Sequence, residues 1–190
     1  MKARSVFLAL AVLALPITSA EQPFIPAWVD VEIDVGGLPT SVALVEPPLP
    51  PSMAAPIEQV VRSWRFTPGS LGGARVPRTT SVALAIRLVR DPGGNEQIIA
   101  EKRSEGPRIL ERARPDCLRT MSQSQPHERI QLGFTVTASG RVEDLSAMNS
   151  AATKEQIDCA METMRSTLFK PETVGGKAVA SQVVQDFRAR

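Results

Sequence analysis

Two cysteines and one histidine are the side chains of this sequence that could most readily react or bind a metal. Cys117 and Cys159 form an even pair, which in an oxidising compartment predicts a disulfide. Two unpaired thiols are the alternative. The cysteines lack the close spacing of zinc ligands, and His127 is the only histidine, so we expect no metal site.

Hydrolase chemistry would need His127 to lie beside a nucleophile and an acid. Ser122, Ser124 and Glu128 occupy the same polar segment, but their spacing gives no reason for the four side chains to converge. The sequence also contains no Walker-type phosphate loop. We therefore expect no enzyme activity, no catalytic residues and no small-molecule cofactor.

Residues 1–20 have the pattern of a secretory signal peptide. Lys2 and Arg4 precede the apolar run SVFLALAVLAL, and small residues follow at 18–20. The run is shorter than the roughly 20 apolar residues that cross a bilayer. These features predict a periplasmic protein, with an uncleaved inner-membrane anchor as the alternative.

The charge of the chain argues against nucleic-acid binding. It carries 22 Lys and Arg against 20 Asp and Glu. Because Lys2 and Arg4 belong to the predicted leader, which has no acidic residue, the remainder is neutral. A nucleic-acid-binding surface would need a basic stripe, which the sequence lacks.

One stretch of the sequence occurs twice. Residues 62–76 read RSWRFTPGSLGGARV, and residues 165–179 read RSTLFKPETVGGKAV. The same shift of 103 residues places Gly37 on Gly140. A repeat sustained without gaps predicts two tandem copies of one small α+β module. The predicted boundaries are 27–89 and 128–190, with a connecting segment at 90–127.

Each copy is predicted to contain a β-hairpin, one helix and a final antiparallel strand. Apolar residues alternate from Val29 to Val35, the period of a half-buried strand. In the first copy Pro56 suits the first turn of a helix. In the second, Thr153 and Gln156 fit a capping box.

Two further expectations concern charged stretches. The acidic residues of the first strand, Asp30, Glu32 and Asp34, are expected to form an exposed face. After a turn at 91–94, the connecting segment is predicted to contain a short helix around Ile109, Leu110 and Ala113.

A hairpin, a helix that ends in Trp-Arg-Phe-x-Pro, a glycine-rich turn and a long final strand resemble the C-terminal domain of the TonB energy-transducer family. The resemblance covers both copies and leaves out the connecting segment. The residues that carry the motif are Trp64, Arg65, Phe66 and Pro68, with Phe169 and Pro171 in the second copy.

The resemblance implies a protein-binding role in the periplasm, in which a sheet edge pairs with a segment of an outer-membrane receptor or another envelope protein. The matching elements are the final strands of both copies, and the first is the expected site. That partner-binding edge comprises Thr80, Ser81, Val82, Ala83, Leu84, Ala85 and Ile86. Pairing of these edges with each other, or across a homodimer, is the alternative.

The sequence departs from the transducers in lacking a long membrane anchor and a long proline-rich spacer. A link to energy-dependent outer-membrane transport therefore rests on the resemblance alone. The alternative function is that of a periplasmic structural or inhibitor-like protein that binds through its loops.

Overall fold

The computed structural model describes residues 24–91, 93–113, 117, 129–149 and 151–187. Within them the fold is mixed α+β and rich in strands, with two helices. The elements, in chain order, are β1 (Ile25–Ile33), β2 (Pro39–Glu46), α1 (Pro51–Arg62), β3 (Gly69–Leu71), β4 (Ala74–Val76), β5 (Arg78–Arg90), β6 (Glu96–Gly106), β7 (Arg108–Glu111), β8 (Ile130–Val136), β9 (Val142–Asn149), α2 (Lys154–Arg165), β10 (Leu168–Lys170), β11 (Thr173–Val174), β12 (Lys177–Ala178) and β13 (Ser181–Phe187).

All strand pairs are antiparallel. In the N-terminal half (β1–β6 and α1), the strands lie in the order β2, β1, β5, β6, and the short hairpin β11–β12 joins the same sheet beside the start of β5. In the C-terminal half (β7–β13 and α2), β8 lies between β9 and β13, and β7 pairs with β10.

Each half has its own hydrophobic core. Alternate residues of the strands face a helix in both halves, as the period of two predicts. The N-terminal core contains Ala27, Val29, Val31, Ile33, Val42, Ile57, Val61, Phe66, Val82, Leu84 and Ile86. The C-terminal core contains Ile130, Leu132, Phe134, Val136, Ala160, Met164, Phe169 and Phe187.

Apart from the extra strand β10, the order of elements in residues 130–187 matches that in residues 25–90, and β8 pairs with β13 in the register in which β1 pairs with β5. Ile33 pairs with Arg78 in one half, and Val136 pairs with Ser181 in the other. Each partner is displaced by 103 residues from its counterpart. That the two halves are copies of a TonB-like module stays a prediction.

The repeated sequence closes the same backbone contact in both halves. The N–H of Phe66 donates to the carbonyl of Gly37, and the N–H of Phe169 donates to that of Gly140. A Cβ on Gly37 would lie 2.4 Å from the carbonyl oxygen of Phe66, and a Cβ on Gly140 would lie 2.1 Å from that of Phe169. The chain after each helix is therefore held against the turn of the first hairpin.

The helices differ at their starts. α2 has the predicted capping box, because the Thr153 side chain accepts from the Gln156 N–H and the Gln156 side chain accepts from the Thr153 N–H. α1 begins at Pro51, earlier than expected, and Pro56 lies inside the helix. Pro51 supplies the fixed backbone angle of a first helical residue, so Pro56 is not needed there.

The connecting segment forms two strands, and the second of them lies where a short helix was predicted. β6 pairs with β5 from Ser81 to Arg90, and Ile98 packs against the N-terminal core. β7 pairs with β10, and Ile109 packs against the C-terminal core. The short-helix prediction around Ile109 was wrong because a partner strand distant in sequence was available.

No helix in the described part of the chain combines the length and apolar character needed to cross a membrane.

Candidate functional site

The strand edge that the sequence singles out is covered in this structure. Val82 pairs with Val29 of β1 on one side and with Glu105 of β6 on the other, and the same holds from Ser81 to Ile86. Thr80 pairs with Val31, and its hydroxyl donates to Glu172. The prediction of a free edge at 80–86 was therefore wrong. A partner strand could pair with this stretch only by displacing β6.

Among the described residues, the equivalent strand of the C-terminal half has a neighbouring strand on one side only. β13 pairs with β8, and no other described strand lies along its second edge. Because every second residue of an edge strand points its N–H and C=O away from its neighbour, β13 offers unpaired backbone groups. Val184 on this strand is 59% exposed.

The composition of β13 also differs from that of a protected edge. β6, which covers β5, carries five charged residues, whereas Asp186 is the only one on β13. Charged side chains on edge strands discourage the addition of further strands. β13 has little such protection.

A cleft of about 490 Å³ lies along β13. Residues 182–186 of β13 line it together with residues 104–107, which join β6 to β7. Trp28, Ile109 and Phe169 contribute apolar surface. Residues of both halves therefore form one concave site, and Trp28 belongs to the N-terminal half.

Glu172 fixes the polar end of this cleft. Its carboxylate accepts hydrogen bonds from the Thr80 hydroxyl at 2.7 Å and the Ser181 hydroxyl at 2.7 Å, and it pairs with Arg78. Arg78 also contacts Glu105 at 2.9 Å. Burial alone would raise the pKa of Glu172, but the three donors together hold that pKa below its ordinary value.

Asp30 makes the second polar contact between the halves. Lys170 donates to its carboxylate at 2.6 Å, Ser81 at 2.6 Å, and Arg108 lies 3.7 Å away. Although burial acts to raise it, the pKa of Asp30 is lowered by these partners. The expectation of an exposed acidic face was therefore wrong for Asp30, and Asp34 instead caps its own turn by accepting from Gly36 and Leu38.

The motif residues serve the packing of each half. Phe66 and Phe169 are buried, and the Phe169 ring lies 5.5 Å from that of Phe134. Trp64 is half-buried against the N-terminal core, whereas Arg65 is exposed. The two prolines, Pro68 and Pro171, are half-buried where the chain leaves the helix.

Cys117 and Cys159 form a disulfide with a Cα–Cα distance of 5.9 Å. The bond ties the chain after β7 to α2. His127 and its neighbouring serines lie outside the described residues. Within the described residues, no group of three His, Cys, Asp or Glu side chains could hold a metal ion.

Comparison with known proteins gives a distant likeness. No protein-family model matches the chain, and no curated protein matches it. Among solved structures, the chain is similar to the structure entitled "Solution NMR structure of Pseudomonas aeruginosa TonB CTD". The identity is 26%, the match covers 45% of this chain and 86% of that one, and the TM-score is 0.36.

The two carboxylates between the halves predict a loss of stability in acid. Because the pKa values of Asp30 and Glu172 are lowered by folding, the unfolded state binds protons more readily as the pH falls. Their contribution is present above the ordinary values of 3.8 and 4.5 and is lost as the pH drops through the lower, folded-state values. We expect urea unfolding at pH 6, 4.5 and 3 to show it.

Matched variants separate this effect from general acid denaturation. Asp30→Asn and Glu172→Gln should each lower stability at pH 6 and flatten its dependence on pH below 4.5. Asp158→Asn is the control, because its ion pair with Lys154 is exposed to solvent. Equal pH profiles for Glu172→Gln and Asp158→Asn would contradict the assignment.

Proposed function

We propose that the protein binds other envelope proteins by accepting an extended segment along the free edge of β13. The observation that supports this proposal is the contrast between equivalent strands: β5 has partners on both sides, and β13 has one. Main-chain hydrogen bonds along the edge would supply affinity, and the adjoining cleft would select side chains.

β6 shows that the equivalent edge can hold a strand. A shift of 103 residues places β13 on residues 78–84, and β6 pairs with 81–84 of that stretch. No other described strand lies in this position beside β13. An added segment would therefore extend the C-terminal sheet as β6 extends the N-terminal one.

The compartment and the partner class are part of the proposal. The leader pattern at 1–20 supports export to the periplasm, and an uncleaved leader would place the same domain at the inner membrane. An outer-membrane receptor is the partner that the sequence resemblance implies, and a role in energy-dependent transport would follow from it. The role we propose is that of a binding module without enzyme activity.

Loop-based binding by a structural or inhibitor-like protein is the second candidate. Full pairing of β5 favours it for the N-terminal half, because that half has no free edge on its final strand.

In-cell photo-crosslinking tests the proposal. A photo-crosslinking residue at Val184 should capture a second protein, whereas the same residue at Ala83 should not, because β6 covers that position. The captured protein is identified by mass spectrometry. Capture at Ala83 of the protein found at Val184 would contradict the assignment to β13.

Adjacent prolines distinguish binding from folding. Val184→Pro and Gln185→Pro remove N–H groups that point to opposite sides of β13. One variant should lose a hydrogen bond to β8 and be less stable. The other should keep nearly wild-type stability, but a crosslinking residue at Gln182 should no longer capture the partner protein. If the stable variant still captures the partner, the edge is not the binding surface.

A further inference from the structure

Trp28 is a large aromatic side chain that the packing of its own half does not use. It lies on β1 beside Val29, which is fully buried in the N-terminal core. Because side chains alternate across a strand, Trp28 occupies the opposite face of the sheet. It is half-buried there and lines the cleft beside β13.

The neighbours of Trp28 on the β5 and β6 side of that face are small. Ala83 is its partner on β5, and Ser104 is the partner of Ala83 on β6, whereas its partner on β2 is Glu46. Gly106 follows near the end of β6 and also lines the cleft. An indole beside small side chains leaves a shallow apolar surface that a further side chain could cover.

Two more apolar groups line the same cleft. Ile109 and Phe169 come from β7 and β10 and pair with each other across those strands. β13 contributes both polar and apolar residues to the lining: Gln182, Val183, Val184, Gln185 and Asp186. The cleft therefore combines the edge of β13 with apolar residues from both halves.

We infer that Trp28 is the specificity-determining residue of the site, and that the bound segment is an extended peptide with an apolar side chain placed against the Trp28 indole. This inference rests on the proposed strand addition at β13. The free edge requires a backbone partner, and the half-buried patch of Trp28 and Ile109 selects one apolar side chain on it. A segment with polar residues throughout would leave that patch exposed to water.

The charges of the lining add a second preference. Four charged residues line the cleft, of which Glu105, Glu172 and Asp186 are acidic and Arg78 is basic. Arg78 pairs with Glu105 and Glu172, and Asp186 pairs with Arg129 outside the lining. An acidic segment would bring like charges together at this site. The favoured segment is therefore apolar at the position facing Trp28 and neutral or basic elsewhere.

Selection from a displayed library of random twelve-residue peptides tests the inference. Peptides selected on the disulfide-bonded protein should share one apolar residue within a polar, non-acidic sequence. Trp28→Ala should weaken the binding of such a peptide by about thirtyfold, the loss typical of a central aromatic contact at an interface. Trp28→Phe should restore most of the binding, which a merely unfolded variant would not do.

Fluorescence gives an independent readout, because the chain has two tryptophans, Trp28 and Trp64. In Trp64→Phe, a selected peptide should shift the emission of Trp28 to shorter wavelengths. In Trp28→Phe, the emission of Trp64 should stay unchanged, because Trp64 packs against the N-terminal core.

The outcomes separate the inference from the proposed function. If peptides lose binding to the edge-blocking proline variant of β13 but bind Trp28→Ala as well as wild type, Trp28 has no role and strand addition stands. If binding survives the proline variant, both are wrong. If no peptide is selected, no extended segment fills the cleft and the inference is wrong. If the protein self-associates through β13, a second copy of the chain occupies the edge and the inference is also wrong.

Discussion

Replacing Gly140 with alanine is expected to cost about 3 kcal/mol of unfolding free energy, which combines the strain of a left-handed backbone with that of an overpacked contact. Gly140 has φ +78°, and a Cβ there would lie 2.1 Å from the carbonyl oxygen of Phe169. Because this contact is with backbone, no side-chain rotation relieves it. Urea unfolding followed by circular dichroism measures the loss.

Gly176 is the matched control in the same half. Its φ of +76° is nearly that of Gly140, but no atom lies within 4 Å of the position that a Cβ would take. Gly176→Ala should therefore cost only the backbone strain, about 1 kcal/mol. Equal losses for the two variants would show that the approach of Gly140 to Phe169 does not restrain the fold.

The repeated stretch forms this contact in both halves. The carbonyl oxygens of Gly37 and Gly140 each accept a hydrogen bond from the N–H of a phenylalanine 29 residues later, Phe66 and Phe169 respectively. Both glycines and both phenylalanines are present in the sequence at the shift of 103, so the equivalence could be predicted. The hairpins, the helical faces and the capping box at Thr153 were predictable as well, because short-range periodicity and capping patterns determine them.

The course of the connecting segment was not predictable in the same way. β6 is rich in charged residues because it is an edge strand, and charge in a sequence also indicates loops. Its identity as a strand depends on pairing with β5. One local signal was available: the run Val82–Ile86 is apolar at every position, which is typical of a central strand with both faces covered.

The free edge predicted at 80–86 is paired on both sides, and binding at a strand edge stays a proposal. The resemblance indicated a final strand as the binding edge, and final strands occur in both halves, yet the first of them is covered. The positions of Trp28, Asp30 and Glu172 beside residues of the other half could not be predicted, because these contacts join residues far apart in the sequence. Contacts across more than 90 residues leave no periodic signal in a sequence.

Removal of the disulfide is expected to cost about 4 kcal/mol, because the bond closes a loop of 42 residues and so restricts the unfolded chain. Cys117→Ser with Cys159→Ala is the suitable variant, since Cys159 is buried and a hydroxyl there would need a hydrogen-bond partner. Urea unfolding of the wild type and the variant, each with and without reductant, measures the difference.

Reductant supplies the control for this prediction. The wild type in reductant should fall to the stability of the double variant, and the variant should not respond to reductant. Because Ile109 of β7 lines the cleft and the bond ties the chain after β7 to α2, loss of the bond should also weaken capture at Val184. A wild type that keeps its stability in reductant would contradict a stabilising role for the bond.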